Sequence, residues 1–270
     1  MGPLFTFDLE DSSGDYRPNG RFVQNTLRYL DFLDEINVLG TFFVVAKAAK
    51  VAPALIQQLA ARGHEVASHS LAHKQLHLQN AKQLHTAERE AKDILEQTSG
   101  MEVQGFRAPV FSLVKETVWA LDVLRELNYS YSSSTIPCSN PLNGFPGISR
   151  TPFIWPNGLV EFPCPICTLG PVAVPYLGGI YLRYFPIWLI RQLMQVQQQL
   201  LWTYVHPYDI DSEEAYFRMP GTTTIVSRML WIKRSKTLEK LSTILTHDNK
   251  IRFFDLVESD DFRKTLQQMN

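Results

Sequence analysis

Excess charge, cysteine and long unbroken apolar runs are all scarce in this 270-residue chain, and each scarcity removes a class of function. Lys and Arg number 26 against 27 Asp and Glu, giving a formal net charge of −1 and a pI of about 6.7. Such a balance offers no basic field to phosphates, so neither nucleic acid nor anionic lipid is an expected partner. The three cysteines, Cys138, Cys164 and Cys167, are too few and odd in number for a disulfide framework, and they suit a reducing compartment. The Cys164-Pro165-Ile166-Cys167 spacing has no second pair, so these read as buried thiols. The most apolar stretch, residues 176–194, is broken by Arg183, Pro186 and Arg191, which argues against a membrane span. No basic segment followed by an apolar run opens the chain, so no signal peptide is read and a cytoplasmic location is expected. Residues 1–6 fit the formal myristoylation pattern, but 4–7 already read as a buried strand, and no anchor is expected. No repeat or low-complexity tract is visible.

What is present is an ordinary globular balance, with 45% hydrophobic and 20% charged residues in a length that can bury one large α/β core. Short apolar β-prone runs at 4–7, 41–45, 64–69, 105–109 and 129–133 alternate with helical patterns at 22–36, 52–62, 79–97 and 115–127. Gly63 and Gly100 stand where two of these helices should stop. This rhythm predicts a parallel sheet or barrel with helices outside and chemistry at the C-terminal strand ends. The middle changes character: nine of the 16 prolines fall between residues 136 and 180, which read as long loops with short strands near 161–163. A helix at 186–199, a strand at 201–205, a loop at 211–229, a helix at 237–245 and a last strand at 251–256 complete the expected order. The whole, 1–270, reads as one domain with an insertion at about 136–180 and a C-terminal extension at about 212–270.

Four polar constellations fall at the predicted strand ends. Asp8, Glu10 and Asp11 place three carboxylates in four positions, costly unless a cation or proton transfer uses them. His69 and His73 are spaced i, i+4, which on a helical turn lets both imidazoles reach one cation. Two histidines and one carboxylate make an open catalytic zinc set with room for water or substrate. Arg107, in Phe-Arg-Ala-Pro, can hold a neighbouring carboxylate ionised and oriented. His206 closes an apolar strand before Pro-Tyr-Asp-Ile-Asp. His64, His77, His85 and His247 have no partners at informative spacing and read as structural.

Together these motifs resemble, in order and separation, the polysaccharide deacetylases of the NodB type (carbohydrate esterase family 4). That group includes chitin, chitooligosaccharide and peptidoglycan deacetylases. The segments Gly40-Thr41-Phe42-Phe43-Val44 and Gly63-His64-Glu65-Val66-Ala67-Ser68-His69 resemble it too. Phe-Asp-Leu-Glu-Asp and His-Pro-Tyr-Asp-Ile-Asp are most similar to the branch found with exopolysaccharide assembly loci. The resemblance spans about residues 4–256. It implies an α/β fold, a deformed, incomplete (β/α) barrel of seven parallel strands, and removal of acetyl groups from an N-acetylated saccharide. It implies that Asp8 is the general base, His69 and His73 are metal ligands, Arg107 positions the base and His206 is the general acid. The third ligand is Glu10 or Asp11, since Leu9 stands where the commonest family motif has a second aspartate. The cofactor implied is a divalent metal, Zn²⁺ first. Val110 would offer a backbone N–H to the oxyanion. Trp155 and Tyr208 are the aromatic residues expected at the substrate. The family's Asp-x-x-Trp motif, which orients the acid, has no match here; Trp155 is the nearest candidate. Aromatics of the proline-rich region (Phe145, Phe153, Trp155, Tyr176, Tyr181) read equally as a sugar platform or as packing. Rival readings are an allantoinase-like amide hydrolase of the same fold and a saccharide-binding module without catalysis.

Overall fold

The computed structural model describes residues 2–139, 143–170, 172–196, 200–218 and 223–269. Its frame begins with β1 (Phe5–Leu9), an unbroken buried strand. Alternation along it sends Phe5, Phe7 and Leu9 to one face, into the layer beneath the helices. Leu4 goes to the other face, into a second apolar cluster. Outside lies α1 (Arg21–Glu35), whose Tyr29 ring meets those of Phe5 and Phe7 at 6.1 and 4.8 Å. Then follow β2 (Gly40–Val44), α2 (Ala46–Val51), α3 (Pro53–Ala61) and β3 (Glu65–Ser68). The helix expected at 52–62 is thus preceded by a second, and Gly63 closes α3 at φ +85°, a left-handed angle that favours glycine. Next come α4 (Ala81–Ser99), β4 (Gly105–Phe106), α5 (Ala120–Glu126) and β5 (Tyr131–Ser132). A reciprocal Asn80–Gln83 capping box opens α4 and left-handed Gly100 ends it.

The proline-rich stretch is more ordered than expected. It holds β6 (Phe153–Ile154), which pairs antiparallel with β7 (Val160–Glu161), and a separate hairpin of β8 (Ile166–Leu169) and β9 (Val172–Pro175). Pro141 and Pro171 of that stretch lie outside the described residues, as do 197–199 of the helix expected at 186–199. A short helix not anticipated, α6 (Gly179–Tyr184), comes first, and the rest of the expected helix is α7 (Ile187–Val196). The expected loop at 211–229 contains α8 (Thr224–Met229), and α9 (Thr237–Ile244) follows as anticipated. Residues 251–256 are not a strand. They enter α10 (Phe253–Glu258), then come α11 (Asp260–Thr265) and β10 (Gln267–Gln268). The reason lies outside the segment. Its first amides, Phe253 and Phe254, donate to Thr41 Oγ1 and Glu65 Oε2 at the N-terminal ends of β2 and β3, so the helix plugs that end of the sheet.

The eight-stranded sheet runs β1-β2-β3-β4-β5-β7-β6-β10, parallel except between β6 and β7. Residues 201–205 lie along the free edge of β1 through parallel bridges at Leu4–Trp202 and Phe7–Val205. The α/β architecture is the expected one, with β6, β7 and β10 in place of a uniform seven-stranded parallel barrel. The sheet curls far enough for inner-face rings to meet across it: Trp202, at one edge, lies 5.7 Å from Phe253, which stacks on Phe162 at 4.2 Å. Cys138, Cys164 and Cys167 are free and buried. Among the described residues, no helix is long and apolar enough to cross a membrane.

A buried carboxyl locks α4 under β3, one residue from His69: Glu88 Oε2 accepts from Ser68 Oγ at 2.8 Å and Tyr129 OH at 3.2 Å. Burial pushes Glu88 from its ordinary 4.5 up to about 7, the two hydroxyls pulling it only partly back. A carboxyl raised in the folded state favours folding while protonated, so its contribution fades as pH rises from about 4.5 through about 7. Denaturant unfolding of Glu88→Gln against wild type should therefore shift in the variant's favour by about 2–3 kcal/mol between about pH 5 and pH 8. A pH-independent difference would count against the raised carboxyl.

Candidate metal and catalytic site

The alternation that buries Leu4 inside the sheet also sends Thr6, Asp8 and Glu10 inward, two residues apart. Asp11, past the strand end, is turned to its own loop, where Oδ1 accepts from Ser13 N–H and Oγ at 3.0 and 2.8 Å. From β3, His69 stays in register because its N–H donates to Val44 O at 2.9 Å. Beyond it the chain does not form the helical turn expected from the i, i+4 spacing. Ser70 and His73 adopt φ +71° and +54°, a tight left-handed bend that brings the two imidazole centroids to 4.9 Å. His73 Nε2 then lies 2.5 Å from Glu10 Oε2. One donor atom each from Glu10, His69 and His73 fall within 4.8 Å of one another. The chemistry of this set fits a divalent cation. His69 Nδ1 is occupied by the carbonyl of Arg107 at 2.8 Å, which fixes the ring and leaves Nε2 free to ligate. Burial pushes the His69 imidazole down to about 4, keeping it neutral. Burial also works to raise Glu10, but His73, by charge and hydrogen bond, and then His206 and His69 carry it well below the carboxylate range.

Beside these donors sits a buried ion pair. Arg107 Nη1 meets Asp8 Oδ1 at 2.6 Å and Thr6 Oγ1 at 2.9 Å, while Nε and Nη2 donate to Ser133 O and Oγ at 3.2 and 3.0 Å. The guanidinium lies 3.8 Å from the Phe43 ring centroid and 4.5 Å from that of Trp202, a cation–π seat inside the sheet. After Arg107 the chain runs into Pro109, then Val110 and Phe111 at φ +56° and +51°. Two successive non-glycine residues in the left-handed region, one of them β-branched, store backbone strain. The amide N–H of Val110 donates to nothing among the described residues, whereas its carbonyl accepts from Asn143 Nδ2 at 2.9 Å.

His206 arrives from the strand-like 201–205 segment. Its Nε2 lies 3.8 Å from Asp8 Oδ2 and 4.0 Å from Glu10 Oε1. Its Nδ1 and N–H both meet Asp209 Oδ2 at 2.9 Å. Burial opposes the charged imidazole, but the Asp209 bond and charge, with Glu10 and Asp8, push it up to about 9. Asp209 was not singled out from the sequence. The signal was there in His-Pro-Tyr-Asp, since residues i and i+3 eclipse in the 3₁₀ turn that runs over Pro207–Ile210. Thr6, Ser133 and the aromatic seat of Arg107 carried no such signal. Trp155 does not orient His206: it is 5% exposed, packed on Phe153 and Phe145, with Nε1 donating to Glu161 Oε2 at 3.2 Å. Phe145, Phe153 and Tyr176 are buried as well, so most of the proposed aromatic platform is loop packing. Tyr208, expected at the substrate, lies flat on His206 at 4.7 Å and 11°, its OH reaching Glu10 Oε1 at 3.4 Å. Asp211 accepts from Arg21 and from Asn25 Nδ2, tying the His206 loop to α1.

A curled, mostly parallel sheet with a His–His–carboxylate cluster at its C-terminal strand ends defines an α/β domain of the deformed-barrel class. Residues 4–132 match the family described as polysaccharide deacetylase, and residues 133–259 match a domain of unknown function (DUF3473). Just under half of the chain thus matches the polysaccharide deacetylase family. A chitooligosaccharide deacetylase from Sinorhizobium fredii is 45% identical over 62 residues, which is 23% of this chain and 27% of that protein. The match thus spans about a quarter of that relative's length. Among solved structures, a Mycobacterium smegmatis protein assigned as a polysaccharide deacetylase aligns with TM-score 0.65 and 19% identity, covering 99% of this chain and 92% of that one. An allantoinase aligns at 0.59 with 15% identity over 94% and 88%. A CE4 family pseudoenzyme from Bacillus anthracis aligns at 0.50 with 12% identity over 99% and 66%. Identities this low speak to fold only, and the three differ in chemistry, so the side chains must decide activity.

If Glu10 is the carboxylate ligand, metal analysis of purified protein should find a bound divalent cation in wild type and in Asp11→Asn. It should fall to background in His69→Ala/His73→Ala and in Glu10→Gln. Loss on Asp11→Asn with retention in Glu10→Gln would reverse the assignment.

Proposed function

We propose that this protein is a metal-dependent N-deacetylase of an N-acetylated sugar or polysaccharide, releasing acetate and a free amine. One observation carries the reading. At one end of the sheet, an arginine-held carboxylate (Asp8) and a carboxylate of a three-donor cation site (Glu10) each lie within about 4 Å of Nε2 of a carboxylate-held imidazole, His206. Amide hydrolysis needs those three services together: an activated water, a base for its proton and an acid for the departing nitrogen.

A divalent cation held by Glu10, His69 and His73 would supply Lewis acidity, making bound water more acidic and polarising the acetamide carbonyl. Zn²⁺ is the first choice for two imidazoles and a carboxylate, with iron, cobalt and nickel compatible with the same donors. Asp8, its Oδ1 fixed by Arg107, presents Oδ2 to take the proton of the attacking water. The unbonded Val110 N–H is the backbone donor for the oxyanion. His206, charged through Asp209, delivers a proton from Nε2 to the leaving amine. The neutral acetamide becomes an ammonium group, so the product gains positive charge. The allantoinase-like rival shares the fold, but the complete two-histidine set favours the metal-dependent reading.

Acetate release should be assayed on N-acetylglucosamine oligomers, N-acetylgalactosamine oligomers and peptidoglycan fragments with added divalent metal. Wild type should act on at least one. Asp8→Asn and His206→Asn should each lose roughly 10²–10⁴-fold in kcat. Asp8→Asn working as fast as wild type would remove the base, and no acetate from any saccharide would remove the activity.

A further inference from the structure

From the His206 ring a buried chain of contacts runs on within the half of the protein that matches the domain of unknown function. Asp209 divides its carboxylate. Oδ2 serves His206 alone, while Oδ1 faces Arg183 Nη2 at 3.4 Å. Neither Oδ1 nor Nη2 makes a hydrogen bond with any other described residue, so each faces only the other. Both side chains are 0–1% exposed. The rest of the guanidinium is fixed from the main chain, Nη1 donating to Leu230 O at 2.9 Å and Nε to Gly179 O at 3.3 Å. The helix that carries it, α6, is itself pinned. Lys240 Nζ donates to the carbonyls of Leu182, Arg183 and Phe185 at 2.9, 2.7 and 2.6 Å.

A guanidinium does not shed its proton on burial, and a buried charge stripped of its partner is strongly destabilising. Asp209 is therefore drawn to Arg183 whatever the state of His206. We propose that Arg183 is a positioning residue for the general acid. It anchors one carboxylate oxygen so that the other holds the His206 ring by Nδ1, with Nε2 toward Asp8 and Glu10. The inference rests on the reading of His206 as proton donor. It gives residues 133–259 a share in the reaction, because they carry the acid, the carboxylate that holds it and the arginine that holds the carboxylate. Asp209 and Arg183 thereby do the work for which the expected Asp-x-x-Trp motif is missing.

The test uses the full chain with bound metal and N-acetylglucosamine oligomers. Arg183→Gln should lower kcat by about 10–100-fold with KM within about twofold. Asp209→Asn should do the same, and the double variant should be no slower than Asp209→Asn, because the arginine acts only through the aspartate. Arg183→Lys, keeping the charge without the fork, should recover part of the loss. Losses that multiply in the double variant, or unchanged kcat in Arg183→Gln, would overturn the proposal. A second readout needs no activity. With ¹⁵N-labelled histidine, the His206 Nδ1–H resonance, assigned by its loss in His206→Gln, should move or exchange faster in Arg183→Gln. An unmoved resonance in a folded variant overturns the proposal even if no saccharide is a substrate; a moved one with no acetate release defeats the deacetylase reading and leaves the positioning role standing.

Discussion

A guanidinium sealed inside a curled sheet, facing one carboxylate, is the constraint around which the described site is arranged. Arg107 reaches β1 through Thr6 and Asp8 and the end of β5 through Ser133, and its own carbonyl holds His69. One residue, through its side chain and its main-chain carbonyl, thus ties Asp8 and His69 to a common anchor. Its charge cannot be removed by proton loss, and it is fully buried over the rings of Phe43 and Trp202. Breaking a pair of this kind from either side leaves a charge stranded in the core, at about 3–5 kcal/mol. The pair is consequently structural and chemical at once.

Strand alternation does the rest of the placement. On β1 the same period that packs Phe5 and Phe7 against α1 delivers Asp8 and Glu10 to the interior. A one-residue slip would exchange the two sets and dismantle core and site together. The second half of the chain adds the remaining face. His206 is laid beside β1 by its bridges, and the 3₁₀ turn after it returns Asp209 to the same ring. The two halves, matched to different families, therefore meet across the cluster rather than forming separate sites.

Structural kinship with an allantoinase and with a pseudoenzyme shows how little the scaffold alone specifies. The local chemistry of this chain is two imidazoles beside a buried carboxylate, a second carboxylate tied to arginine, and an imidazole held by a third. Burial works against the charges of Glu10 and His206, and the histidines sustain the one while Asp209 sustains the other.

The sequence by itself determined the alternation of strands and helices, and hence an α/β sheet with its polar residues gathered at one end. It did so because strand period, glycine stops and helix periodicity are local properties. It also singled out Asp8, His69, Arg107 and His206, which stand in or at the end of readable strand patterns, and His73 by its i, i+4 spacing from His69. Tertiary structure alone decided that Glu10 and not Asp11 faces the histidines, because only the direction of β1 after Leu9 separates them. It alone turned residues 69–73 into a left-handed bend, moved Trp155 into packing, and made a helix of 253–258, whose amides are claimed by Thr41 and Glu65 from distant strands. Arg183 and Asp209 came together the same way. Burial and charge pairing between residues far apart in the chain are settled by the packed interior, which no local pattern encodes.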